Sequence, residues 1–132
     1  MLEITESAYS DNADLLTEVA NRLRESGFMI EMDDFGSGYS SLNMITMLPI
    51  DVLKLDMKFV RNMEKDEKSL KLVELIMGIA GFLNVPVVAE GVETESQLKK
   101  LKDMGCQVIQ GYYFSRPVPA SEFEEFIKKE CV

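Results

Sequence analysis

A chain of 132 residues, 46% of them hydrophobic and 28% charged, can bury a single-domain core and is too apolar to be disordered. Its formal charge of −9 argues against the basic surface of a nucleic-acid binder, and no apolar run approaches the roughly 20 residues of a membrane span. Histidine is absent altogether, which removes Ser-His and Cys-His nucleophiles and most zinc sites. Carboxylates and lysines are left to do any chemistry, a composition suited to hard cations such as Mg²⁺ or Mn²⁺.

Taken in chain order, the pattern alternates strand and helix. Residues 1–5 read as the end of a strand. Residues 13–26 place Leu15, Leu16, Val19 and Leu23 on one helical face, with Gly27 as the stop. A strand at about 28–33 runs into a Gly-rich loop, a short helix is expected around 39–47, and Pro49 leads into a strand at about 51–56. A longer helix near 67–83 repeats Leu70, Val73, Ile76, Met77 and Ala80. The apolar run from Val85 to Ala89 predicts a strand buried on both faces.

Thr94 and Gln97 have capping-box spacing and open a helix closed by Gly105. Residues 106–111 give a last strand, and Ser121 with Glu124 repeats the capping spacing before a terminal helix. Such alternation implies right-handed βαβ units and a parallel sheet in one structural unit. The chain holds too few strands for a complete eight-stranded barrel, which takes about 250 residues. Cys106 and Cys131 form no disulfide or zinc pattern, and the N-terminus carries no signal-peptide pattern, so a cytoplasmic protein is expected.

Five segments end an apolar run in polar or acidic residues: 2–6, 32–38, 53–56, 87–93 and 109–112. They would bring Glu3, Asp33, Asp34, Asp56 and Glu90 to the strand ends of one sheet, where an α/β barrel keeps its active site. Carboxylates gathered there repel unless a cation sits among them. Adjacent aspartates point to opposite faces of a strand, so both reach the site only where the strand ends and turns, as Gly36 and Gly38 permit. Alone, an Asp-Asp-x-Gly stretch is more often a solvated turn; the other segments weigh against that here. Lys54 shares a face with Asp56 and would balance the charge. Glu90 ends a buried strand, which is costly unless it is paired or metal-bound. Glu93 suits a helix N-terminus equally well.

The segments Glu-Ile-Thr-Glu-Ser, Asp-Asp-Phe-Gly-Ser-Gly-Tyr-Ser-Ser-Leu, Pro-Ile-Asp-Val-Leu-Lys-Leu-Asp, Val-Val-Ala-Glu-Gly-Val-Glu-Thr and Gln-Gly-Tyr-Tyr-Phe-Ser-Arg-Pro, in this order, resemble the EAL domain family. These are bacterial phosphodiesterases that act on cyclic di-GMP. The resemblance implies an α/β fold, a partial TIM-type (β/α) barrel of about five parallel strands alternating with helices. It also implies a site that takes Mg²⁺ or Mn²⁺ in a two-metal arrangement. Glu3, Asp33, Asp34, Glu90 and Glu93 would be its ligands or supporting carboxylates, with Asp33 bridging, and Asp56 is expected among the ligands from its strand-end position alone. Lys54 matches the lysine that orients or deprotonates the attacking water, Glu90 and Gln110 stand beside it, and Pro117 lies with the substrate. Glu6, Gly36 and Gly38 match residues of the Gly-rich loop and its support.

One departure matters. The Glu-Ala-Leu segment that names the family is absent, and so is the asparagine expected on the following strand. The expectation is therefore the C-terminal portion of such a domain over residues 1–132, with hydrolysis of cyclic di-GMP weak or lost in this chain by itself. A non-catalytic cyclic-di-GMP-binding or protein-interaction module is the alternative. Open barrel edges further predict a homodimer or association with a complementary barrel part.

Overall fold

A computed structural model describes residues 1–5, 8, 12–35 and 47–130. Among the described residues ten elements follow one another: β1 (Leu2–Thr5), α1 (Ala13–Glu25), β2 (Ile30–Phe35), β3 (Val52–Leu55), α2 (Met57–Asn62), α3 (Glu67–Phe82), β4 (Val87–Ala89), α4 (Glu95–Asp103), β5 (Val108–Ile109) and α5 (Ala120–Glu130). The strands form one parallel sheet in the order β1-β2-β3-β4-β5, and its outer strands β1 and β5 do not pair with each other. This is an α/β fold of five parallel strands alternating with helices, an open relative of the barrel. Among the described residues no helix is long and apolar enough to cross a membrane.

The sheet has two unlike faces because side chains alternate along each strand. Ile30 and Met32 of β2, Leu53 and Leu55 of β3, and Val87 and Ala89 of β4 are all buried. They join Ala20 of α1, Val60 of α2, Val73, Ile76, Met77 and Ala80 of α3, and Leu101 of α4 in one core. Glu31, Lys54 and Val88 occupy the alternate positions. Val88 is only half-buried, so β4 is not covered on both faces as its apolar run predicted.

Local chemistry sets the helix limits. Thr94 and Gln97 form the expected capping box. Gly27 and Gly105 follow α1 and α4 at positive φ. Three expectations shift. In α1 the contact line is Leu16, Ala20 and Leu23, while Leu15 and Val19 are exposed. The helix presents a stripe displaced by one position from the one read in the sequence. The last strand shrinks to Val108–Ile109. Helix α5 begins at Ala120, ahead of the supposed Ser121 cap, with the Pro119 carbonyl accepting from the Glu122 and Phe123 amides. The helix expected around 39–47 falls almost wholly outside the described residues, as do Glu6, Gly36 and Gly38.

Candidate active site

Lys54 organises the inner face of the sheet. Its neighbours Leu53 and Leu55 turn into the core, so its own side chain must project to the opposite face. There the ammonium Nζ lies 3.1 Å from Glu90, 3.2 Å from Asp33, 3.5 Å from Glu31 and 3.6 Å from Glu3. The four carboxylates arrive from β1, from β2 and from the residue after β4. Parallel register makes this possible: Glu3 sits beside Glu31 and Thr5 beside Asp33, while Lys54 sits beside Val88, two residues before Glu90.

Strand β2 runs to Phe35 and so contains both aspartates, instead of ending near Asp33 as the sequence suggested. Its pairing with β3 shifts register between Met32 and Phe35. An irregularity of this kind re-aims side chains next to a site. Asp33 is among the groups collected by Lys54; the side chain of Asp34 lies outside the described structure.

The electrostatics follow from one cation among four anions. Burial works against the Lys54 ammonium, but hydrogen bonds and charges from Glu90 and Asp33 outweigh it and raise its pKa, so it stays protonated through the neutral range. Glu31 has 3% of its side chain exposed. Its desolvation raises its pKa, reinforced by the Glu3 and Asp33 charges and only partly offset by Lys54.

Among the described residues, no three acidic groups stand ready-made as a metal cage. The carboxylates are instead turned onto the ammonium, a monovalent cation at the centre of an all-oxygen donor set. Such a set fits a hard divalent ion, and Glu3, Asp33 and Glu90 are the members with solvent access to receive one.

Two expected ligands are used differently. The Asp56 carboxylate caps α2, accepting from the Lys58 amide at 2.6 Å. The sequence reading contained no helix after β3 and therefore sent Asp56 into the site. Glu93 pairs with Arg61 at 2.9 Å, on an exposed edge, and its own amide donates to the Gln97 side chain.

Gln110 follows β5, with its amide donating to the Ala89 carbonyl and its carbonyl accepting from Val92. Together with Pro117, Tyr112, Arg116 and Phe123 it lines a cavity of about 370 Å³. Tyr112, Tyr113 and Phe114 are exposed, not packed in the core. The backbone here is drawn tight: a Cβ on Gly111 would stand 2.1 Å from the Val92 carbonyl oxygen, so only glycine fits.

Glu31 is the site residue that the sequence reading missed. The signal was present, because Glu31 lies two residues before Asp33 and alternation puts both on one face. A charge in mid-strand does not interrupt the apolar pattern as a strand-end acid does.

A family model described as the EAL domain matches residues 1–117. The chain belongs to the EAL domain family. It is 42% identical, over 127 residues, to the cyclic di-GMP phosphodiesterase NbdA of Pseudomonas aeruginosa, covering 96% of this chain and 16% of that protein. Among solved structures it resembles the PaMucR phosphodiesterase in complex with c-di-GMP, with a TM-score of 0.86 and 39% identity, over 92% of this chain and 49% of that one. It also resembles Klebsiella pneumoniae BlrP1 in a manganese/cy-diGMP complex, with a TM-score of 0.80 and 35% identity, over 87% of this chain and 29% of that one. The EAL chain thus spans less than a fifth of NbdA and about half of the PaMucR chain.

Proposed function

We propose that this EAL chain carries the C-terminal portion of a cyclic-di-GMP phosphodiesterase domain, cleaving a phosphodiester to give the linear dinucleotide. The supporting observation is the convergence of Glu3, Glu31, Asp33 and Glu90 on Lys54 at 3.1–3.6 Å. In this reading Glu3, Asp33 and Glu90, with Asp34, hold divalent ions, either Mg²⁺ or Mn²⁺. Such ions, when bound, supply an activated water and charge stabilisation on the phosphoryl oxygens. Lys54 presents a fixed positive charge and hydrogen-bond donors to the water or the phosphate. Gln110 and Pro117, at the cavity beside β5, contact the nucleotide. Asp56 and Glu93 act one step removed, the first by fixing the start of α2 and the second through Arg61.

Among the described residues the sheet ends in two unpaired edges, which favours completion by a complementary barrel part or by a second copy of the chain. The Glu-Ala-Leu segment is absent, so the chain alone is expected to turn over little substrate while still binding Mn²⁺. The test pairs Mn²⁺ calorimetry with assay of linear dinucleotide, for the chain and for Asp33→Asn. Loss of Mn²⁺ binding in the variant supports the assignment; robust turnover that Asp33→Asn leaves untouched overturns it. The open sheet also supports a second reading, a module that binds cyclic di-GMP without cleaving it. Tight calorimetric binding of the dinucleotide without turnover, even when a complementary barrel part is supplied, would favour that reading. A stable monodisperse monomer in sedimentation would count against association.

A further inference from the structure

We propose that Glu31 is a positioning residue that keeps Lys54 in place when a divalent cation takes up Asp33 and Glu90. The inference rests on the reading of Glu3, Asp33 and Glu90 as metal ligands, and extends it to a residue outside that set. Lys54 divides its ammonium among four carboxylates, and the two nearest, Glu90 at 3.1 Å and Asp33 at 3.2 Å, are among those a metal would claim. Once engaged by an ion they have less charge to offer the ammonium, and the ion itself repels it. Without another anchor Lys54 would be driven from the site.

Glu31 meets the requirements of that anchor. It stands 3.5 Å from Nζ, and 3% of its side chain is exposed, against 56% for Glu3, 19% for Asp33 and 22% for Glu90. The three carboxylates with solvent access can meet an ion arriving from solvent, whereas Glu31, level with Glu3 in the register but closed to solvent, cannot. It precedes Asp33 by two residues on β2, which puts it about 6–7 Å further from the strand's C-terminal end. Ile30 and Met32 on either side are fully buried in the core, so β2 cannot rotate to lift Glu31 toward the opening. A buried carboxylate left without a partner is costly, so Glu31 and Lys54 each hold the other.

The experiment uses the full chain, ¹⁵N-labelled, with Mg²⁺ as the probe. The readouts are the ε-ammonium resonance of Lys54, identified by its loss in Lys54→Met, and Mg²⁺ calorimetry. The wild type is expected to keep a protected Lys54 signal with and without Mg²⁺. Glu31→Gln, which keeps the shape and removes the charge, is expected to show the signal in metal-free buffer and lose it when Mg²⁺ is added, while Mg²⁺ binding survives. Glu31→Asp should retain part of the signal in Mg²⁺ and serves as the working variant should Glu31→Gln not fold. A Lys54 signal that persists in Glu31→Gln with Mg²⁺ bound overturns the proposal. Loss of Mg²⁺ binding in Glu31→Gln, to the extent seen in Asp33→Asn, also overturns it by making Glu31 a ligand. If the wild type binds no Mg²⁺, the metal-site reading fails first and this inference falls with it.

Discussion

At the entry to β3, Asp51 faces one arginine and one backbone amide; near its exit, Lys54 faces four carboxylates. The Asp51 carboxylate accepts from Arg24 at 2.9 Å and from the Ile30 amide at 2.8 Å, tying α1 and β2 to the start of the strand. Charge is balanced there and every partner is accounted for. The exit carries more negative charge than one ammonium can satisfy. Stability alone does not call for that surplus. In a barrel-type sheet the two ends divide their labour, with structure at the N-terminal ends of the strands and chemistry at the C-terminal ends.

The contrast can be broken by substitution. The largest effect is expected from Lys54→Met, which leaves Glu31 buried beside the Glu3 and Asp33 carboxylates without its cation. Loss of one partner of a buried pair costs about 3–5 kcal/mol, to be read from urea unfolding of the metal-free chain. A change well below that would mean the exit is wetter and less strained than its burial implies. Next comes Asp51→Ala, which leaves the Ile30 amide without its acceptor, at about 1–3 kcal/mol for a buried unsatisfied donor. This loss should be indifferent to Mg²⁺, whereas Mg²⁺ should restore part of the stability lost in Lys54→Met.

A smaller effect shows as a trend with pH. The Glu31 carboxyl has its pKa raised above the ordinary 4.5, chiefly by burial. A raised pKa adds stability that is full below 4.5 and is lost as pH rises through the folded value. Metal-free wild type should therefore lose stability relative to Glu31→Gln as pH climbs from about 4.5 toward neutrality. The reverse slope, in paired unfolding curves, would show that Lys54 dominates and holds Glu31 ionised. The smallest effect belongs to Arg24→Ala, under about 1 kcal/mol for so exposed a pair, and it would sharpen the contrast by showing that Asp51 works mainly through the Ile30 amide.

How much of this was legible beforehand depended on where each residue sits. Glu3, Asp33, Lys54 and Glu90 were readable because each closes or nearly closes an apolar run, and alternation fixes their face. Asp56 was readable as a strand-end acid but not as a cap, because α2 is a six-residue helix with neither glycine nor proline to announce it. An Asp just before a short amphipathic stretch is itself an N-cap signal, and it competes with a ligand role. Alternation alone puts Glu31 on the face of Asp33, but its place beside Glu3 depends on the register between β1 and β2. Such long-range pairing is invisible to any local pattern. The displaced stripe of α1 has the same origin, since packing chose between two adjacent apolar lines.

Gly111 gives the last strand a different mechanical character from its length. With no side chain to hold the chains apart, the segment leaving β5 is laced to the one leaving β4: Val92 donates to the Gln110 carbonyl, and Tyr113 donates to the Val92 carbonyl. Two formal strand residues thus behave as the middle of a longer seam. Gln110 and Glu90 ride on opposite sides of that seam, so a force that tilts one is transmitted to the other through the backbone itself.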